Sequence, residues 1–435
     1  MTLVLSLLAV AAALLVVSAV GVGTSVSFLP PERAFFLERL GWGDALGCAV
    51  LIAAVPIALG TGLAPRWGFV VLSAVAVLLG RRLRLTSRRR SALPGSVSIA
   101  LLGVIALGVA VYALRALTEP MWANDFVAIW GLKGKTIYGA AGYPGRLTSL
   151  GFSHPEYPLG LPLLYAGLSF LTGRWDDHAM ALLFPFLQAA TLLVLFGWLR
   201  RRGASPTAAG LATATVAWFE PLYSAFLTGM AEVPLAFGLV LFGTSLADAL
   251  DDTDAGAIRR LTAAAALIAA IKNEGLFFSV VGAMLALVFG KQRRWKIAIP
   301  PLAAALLVRA LHWPWRSRIP LADFEGGLFS TSRVWDSLAA AGQLLGASAW
   351  IGLALVAVLI LAGRSVAAGN RLLLLAGAGV AAYLVIPAFA VRGPSWLIET
   401  TLLRTTAALA PLTAAAVAAR YAASPSAGPV DPADA

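Results

Sequence analysis

Residues 178–202 read HAMALLFPFLQAATLLVLFGWLRRR, and this stretch decides the fold. From Ala179 to Leu199 it carries no charged side chain, and it then ends on Arg200, Arg201 and Arg202. A helix of about 20 apolar residues crosses the hydrocarbon core of a bilayer. The arginine triplet marks the cytoplasmic end, because basic residues collect in cytoplasmic loops of membrane proteins. The pattern of an apolar run closed by a short basic cluster recurs along the chain. The composition agrees: 60% of the 435 residues are hydrophobic and 12% charged, where soluble domains carry about 25% charge. The net charge of +12 is divided among clusters between apolar runs, so it points to membrane topology and away from a nucleic-acid partner. Cys48 is the single cysteine, which excludes an intrachain disulfide.

The expected fold is an all-α, polytopic transmembrane helical bundle. Its candidate spans are 3–22, 44–63, 67–80, 96–117, 178–199, 205–219, 233–249, 259–271, 275–290, 297–311, 337–361, 371–390 and 403–420, about thirteen in all. The first run lacks a basic leader and an obvious cleavage site, so it reads as a retained helix. Basic clusters at Arg81, Arg82, Arg84 and Arg88–Arg90, at Arg200–Arg202, at Arg259 and Arg260, at Lys291, Arg293, Arg294 and Lys296, and at Arg364 and Arg371 set the orientation. All are cytoplasmic if Pro158 to Leu171, short and rich in proline and glycine, is re-entrant or interfacial. The N-terminus is then outside and the C-terminus cytoplasmic. The proline-rich tail, 422–435, reads as disordered.

With that orientation His154, His178 and His312 fall outside, as do Glu119, Asp125, Glu156, Asp176, Asp177, Glu220, Glu232, Glu274, Asp323, Glu325, Asp336 and Glu399. Several of these acids sit at helix mouths between apolar runs, where an ionised group is costly, and such placement points to a site. Glu119 to Tyr138 reads EPMWANDFVAIWGLKGKTIY. Trp122, Phe126, Ile129, Trp130 and Ile137 recur at helical spacing, with Asn124, Asp125, Lys133 and Lys135 polar, so an amphipathic interfacial helix is expected. Asp125, just after a span, suits a general base at the membrane surface; alternatively, Asn124 or Asp125 caps the helix.

Ser153 to Ala166, SHPEYPLGLPLLYA, is a stiff turn presenting His154, Glu156 and Tyr157. These residues either orient an acceptor or cap a helix, and one His with one Glu is a poor metal signature. Glu232 precedes Pro234 at another mouth, and Lys272, Asn273 and Glu274 form a polar break between two apolar runs. Lys272 either binds a phosphate or pairs with Glu274. Arg404 lies within the last apolar run, where a guanidinium wants an anion, either a lipid phosphate or Glu399. No nucleotide-binding loop, zinc spacing or serine nucleophile elbow is present.

The order of these features resembles the GT-C superfamily of polyprenyl-phosphate-dependent glycosyltransferases. They are an aspartate after an early span, a long first outer loop, an HPEYP turn, the Glu232–Pro234 mouth and a late Arg404 before Pro411. The nearest branch is glycosyltransferase family 39-like, which includes protein O-mannosyltransferases and aminoarabinose transferases of lipid A. The resemblance spans roughly 96–411. It divides the chain into additional N-terminal helices at 1–95 and a GT-C-like catalytic domain at 96–421, with the first outer loop, including its interfacial helices, at about 118–177.

The resemblance implies an inverting transfer of a sugar from a polyprenyl-phosphate donor to a hydroxyl of a glycan, lipid or protein acceptor. Asp125 matches the catalytic base. The family often has two adjacent acids there, and here Asn124 takes the first place. His154, Pro155 and Tyr157 match an HPP-type turn, with Glu156 replacing a proline. Lys272 and Arg404 match cations that hold the donor phosphate. The substrate-binding set expected on both grounds is Asn124, Lys133, His154, Glu156, Tyr157, Glu232, Lys272, Asn273, Glu274 and Arg404. No cofactor is expected, because cationic side chains serve a phosphate leaving group; some relatives use a divalent cation, and nothing in this sequence calls for one. The competing classes are a lipid-linked saccharide flippase or transporter, whose polar groups belong near mid-membrane, and a non-catalytic scaffold.

Overall fold

The computed structural model describes residues 2–29, 36–82, 99–139, 154, 156–251, 256–312, 331–347, 368–386, 395 and 398–422. Arg84, Arg88, Arg89, Arg90, Pro155, Asp323, Glu325, Arg364, Arg392, Trp396, residues 348–361 and the tail 423–435 lie outside them. Among the described residues every regular element is a helix. The first four are α1 (Thr2–Ser25), α2 (Phe36–Thr61), α3 (Pro65–Arg82) and α4 (Ile99–Thr118). A π-helical turn, Phe126–Trp130, runs into α5 (Gly131–Gly139), followed by α6 (Gly160–Thr172), α7 (Asp177–Met180), α8 (Leu183–Arg201) and α9 (Pro206–Ala217). Then come α10 (Glu232–Leu250), α11 (Ala257–Ile271), α12 (Asn273–Phe289), α13 (Arg294–His312), α14 (Thr331–Ala347) and α15 (Ala368–Val385). A second π turn, Ile398–Leu402, leads into α16 (Leu403–Ala407) and α17 (Ala410–Ala422).

Five of these helical stretches are long and apolar enough to cross a membrane: Leu3–Ser25, Phe36–Thr61, Ile99–Thr118, Asp177–Arg201 and Glu232–Asp251. The pair Ile398–Ala407 and Ala410–Arg420, bent by 44°, adds a sixth if it forms one span. The expected count of about thirteen exceeds this among the described residues, where several apolar runs form helices below that length and 348–361 is not included. α9 has 12 residues, α11 has 15 and α12 has 17. At about 1.5 Å per residue none of the three reaches the ~30 Å of a hydrocarbon core. Serine and proline shorten α9 from its start: Ser205 Oγ accepts from Ala208 N at 3.1 Å, with Pro206 as the first helical residue.

The helix expected to lie in the membrane interface differs from its amphipathic pattern. The backbone is irregular before Asn124, then takes the π turn, and both Trp130 and Lys133 are buried while Trp122 is exposed. α6, expected to be re-entrant or interfacial, is buried from Gly160 to Ser169 and packs against α2, α5 and α11. Thirteen residues are too few to cross, and Gly173, at φ 78° in the left-handed region, closes the helix.

α10 is the axis of the bundle. Every residue from Glu232 to Ala249 is buried, and α8, α11, α12, α15 and α17 pack around it. A helix apolar on all sides belongs inside, and this one carries an acid near each end, Glu232 and Asp248. α1 and α4, by contrast, show broad apolar faces, including Leu3, Leu8 and Leu15 on one and Ile99, Leu107 and Leu114 on the other. Such faces suit lipid rather than water. Between α1 and α2 the backbones nearly touch: a Cβ on Gly21 would lie 1.7 Å from Gly43 O, and one on Gly47 would lie 2.0 Å from Val17 O. Gly43 and Gly47, one turn apart, form the small-residue seam that lets apolar helices approach without a hydrophobic driving force.

Candidate functional site

The chain from Thr228 to Ala231 turns sharply into α10, with Gly229 at φ 96°. Glu232 is therefore the first residue of a buried helix. Pro234 falls in the first turn, where no backbone donor is owed to the helix. Lys272 is the single extended residue (φ −150°, ψ 156°) between α11 and α12, and Gly275 allows the two to stay close, since a Cβ there would meet Ile268 O at 2.0 Å. This break turns the Lys272 amine towards α10. Its Nζ lies 3.1 Å from Glu232 Oε1 and 2.9 Å from Glu274 Oε1.

Arg404, in the first turn of α16, reaches the same carboxylate from another side. Its Nε is 3.5 Å from Glu232 Oε1, and its Nη1 donates to Asp125 Oδ2 at 2.6 Å. A continuous charged chain thus runs Asp125, Arg404, Glu232, Lys272, Glu274. Five residues singled out in sequence, spread from 125 to 404, meet at one end of α10. Asp125 immediately precedes the π turn and makes no side-chain capping bond, so Asp125 is not its cap. Arg404 pairs with Asp125 and Glu232, and no ion pair with the exposed Glu399 is present. Lys272 makes the expected contact with Glu274 and adds Glu232.

His154, Glu156, Tyr157 and Lys133 form an adjoining group. His154 Nδ1 and Glu156 Oε1 are 2.9 Å apart, and Lys133 Nζ donates to His154 O at 2.6 Å. The Tyr157 ring lies between those of His154 (centroids 4.9 Å apart) and Trp130 (5.3 Å), all nearly parallel. Together these contacts hold His154 at φ 45°, a backbone region uncommon for a residue with a side chain. Burial pushes the Lys133 amine down to about 8, partly offset by Glu156. For Glu156 burial acts upwards, but the hydrogen bond from His154 and the charges of His154 and Lys133 outweigh it and hold the carboxyl below its ordinary value. Burial, then the charges of Glu274, Asp125 and Glu156, drive the Tyr157 phenol well above its ordinary value, so its hydroxyl stays a neutral donor.

Asn124 is exposed and is not drawn into the group. Asn273 opens α12, where its Oδ1 is buried without a hydrogen-bond partner. Tyr383 of α15 was not singled out in sequence. Its buried hydroxyl has no partner and lies within range of the Glu274 and Glu232 charges. A tyrosine inside an apolar run reads as core, so no local signal marked it. The set of orphaned polar atoms here also includes Glu232 Oε2, Arg404 Nε and Trp130 Nε1. Among the described residues no group of three or more His, Cys, Asp or Glu is placed to hold a metal.

A second charged network lies at the other end of α10, about 24 Å away by helical rise. Arg201 clasps Glu38 with Nε (2.7 Å) and Nη2 (2.9 Å), and its Nη2 also reaches Asp248 Oδ2 at 2.5 Å. Arg260 donates to the same Oδ2 at 2.9 Å, and Trp198 Nε1 donates to Oδ1 at 3.1 Å. Arg202 and Arg371 both pair with Asp251. The network joins α2, α8, α10, α11 and α15. The sequence marked its arginines as topology signals and gave no hint of their partners.

No family model, no curated protein and no solved structure matches this chain.

Proposed function

We propose that the protein is a membrane glycosyltransferase that moves a sugar from a polyprenyl-phosphate donor to an acceptor hydroxyl, with Asp125 as general base. The observation that carries the reading is the meeting of Asp125 with Arg404 and Lys272, residues from three distant segments, beside a turn of aromatic and polar side chains. The acceptor oxygen attacks the anomeric carbon while the bond from that carbon to the phosphate oxygen breaks. The electron pair of that bond leaves on the phosphate. Asp125 takes the acceptor proton, and the configuration at the anomeric carbon inverts. Arg404 and Lys272 stabilise charge on the departing phosphate. Tyr157, a neutral donor, and the His154–Glu156 pair line the side on which the acceptor enters.

In this reading the chain has about thirteen membrane-embedded segments, some too short to cross unaided and held within the bundle. The Glu232 end faces the outer side, the Asp248 end and the C-terminus face the cytoplasm, and a bacterial plasma membrane is the setting. The first outer loop roofs the site, residues 1–95 add helices to a GT-C-like body, and no cofactor takes part. A transporter would carry its polar groups near mid-depth on broken helices. The central α10 carries its acids at its two ends instead.

The test is transfer by membranes bearing wild type or Asp125→Asn, supplied with a panel of polyprenyl-phosphate sugars and followed by mass spectrometry. Donor consumption by wild type, reduced about 100-fold or more in the variant, is expected. Full activity in a folded Asp125→Asn protein overturns the assignment of the base, and no consumption by folded wild type across the panel overturns the enzyme reading.

A further inference from the structure

Arg404 is held by less than it offers. A guanidinium carries five N–H donors. Among the described residues Nη1 donates to Asp125 Oδ2 and approaches Met230 Sδ at 3.8 Å. Nε is buried without a hydrogen-bond partner, its 3.5 Å approach to Glu232 Oε1 being ionic only. Most of the fork that would grip a phosphate is therefore unspent.

Within the chain of ion pairs itself the charge is unbalanced, while Glu156, Lys133 and Arg309 adjoin it. Asp125, Glu232 and Glu274 supply three carboxylates against the two cations Arg404 and Lys272. A phosphate entering beside Arg404 adds another negative charge next to Asp125, and like charges at one site repel. That repulsion bears most on the carboxylate held least. Glu232 is fixed: its side chain is 1% exposed, on the buried axis helix, with Lys272 also on its Oε1. Asp125 is the less constrained one, 21% exposed, without a capping bond, and with Arg404 as its one ionic partner among the described residues.

The backbone offers a way to move. The two π-helical turns among the described residues bracket this ion pair, Phe126–Trp130 starting right after Asp125 and Ile398–Leu402 ending just before Leu403 and Arg404. A π turn holds an extra residue, and passing that residue along rotates the neighbouring helix by about 100°.

Resting on the glycosyltransferase reading, we propose that the Asp125–Arg404 ion pair is a latch opened by the donor. In the empty site Arg404 occupies the base. The donor phosphate takes the guanidinium, Asp125 swings free, and only then can it accept a proton from the acceptor hydroxyl. Donor binding thus precedes activation of the acceptor. By linkage, a carboxylate that the phosphate must displace weakens the phosphate, so removing its charge strengthens binding.

The experiment measures binding of undecaprenyl monophosphate, the lipid product such a transfer would leave, to the full chain in nanodiscs. Wild type is compared with Asp125→Asn, Asp125→Ala and Arg404→Gln. Tighter binding by both Asp125 variants, about fivefold or more, with loss in Arg404→Gln, is expected. Wild-type or weaker affinity in both Asp125 variants overturns the latch and leaves the glycosyltransferase reading standing. No binding by wild type overturns both. Should Arg404→Gln fail to fold, the Asp125 variants against wild type still decide.

Discussion

At the Asp248 end of α10 the central carboxylate accepts from Arg201, Arg260 and Trp198, so that both of its oxygens are filled. At the Glu232 end the corresponding carboxylate shares Oε1 between Lys272 and Arg404 while Oε2 is buried with no partner. Around them the two ends are closer: Arg371 Nε and Arg200 Nε are buried without a hydrogen bond at the first, and Asn273 Oδ1, Tyr383 Oη, Trp130 Nε1 and Arg404 Nε at the second. Buried polar groups are normally satisfied, and each exception wants a reason. The difference that stands is in the two central carboxylates, one with both oxygens bonded and one with a single oxygen bonded.

Substitutions at the two ends of α10 separate their roles. Asp248→Asn strips the charge that balances Arg201 and Arg260, two buried cations, and is expected to cost about 3–5 kcal/mol. Thermal unfolding in detergent measures it, and a loss below 1 kcal/mol would show that the two ends are alike after all. Glu232→Gln also leaves two cations under-compensated, but Lys272 keeps Glu274 and Arg404 keeps Asp125, so a smaller loss of about 1–3 kcal/mol is expected in the same assay. Asp125→Asn touches a partly exposed pair and should change stability by about 1 kcal/mol or less, while lowering the proposed transfer about 100-fold or more. A large stability loss there would make Asp125 a structural residue.

The smallest effect is one of pH. Because the Glu156 carboxyl is held below its ordinary value of 4.5, its contribution to stability is present above about pH 4.5 and fades as pH falls through the depressed folded value. Replacing His154 by Asn should flatten that acid limb by about 1 kcal/mol or less, read from unfolding midpoints across the acid range. An unchanged limb would mean that His154 does not hold Glu156.

Much of the Glu232 end was legible in sequence because charges interrupting apolar runs are costly and therefore conspicuous: Asp125, Glu232, Lys272, Glu274 and Arg404 stood out one by one. Their pairing was not legible. Arg404 had Glu399 five residues away as the local candidate, but Glu399 lies in the π turn before Arg404 and is exposed. Lys133 read as part of a polar face, yet the carbonyl of His154 and the Tyr157 ring give its amine a place inside. The Asp248 network was hidden for a related reason. Arginine clusters follow from membrane topology alone, so nothing local separated Arg201 and Arg260, which bind buried acids, from arginines that only mark a side. All-α architecture followed from composition and run length. The number of crossings did not, since 12 apolar residues look alike whether a helix crosses or is held within a bundle.

Because α10 is enclosed from Glu232 to Ala249, in the proposed membrane setting lipid would act on the helices around it and not on the axis itself. A thinner or thicker bilayer can tilt or strain α1 and α4, whose apolar faces are open. It cannot easily change the spacing between Glu232 and Asp248, which is written into one helix of fixed pitch. The separation of the Glu232 cluster from the Asp248 network is thus a property of the protein alone.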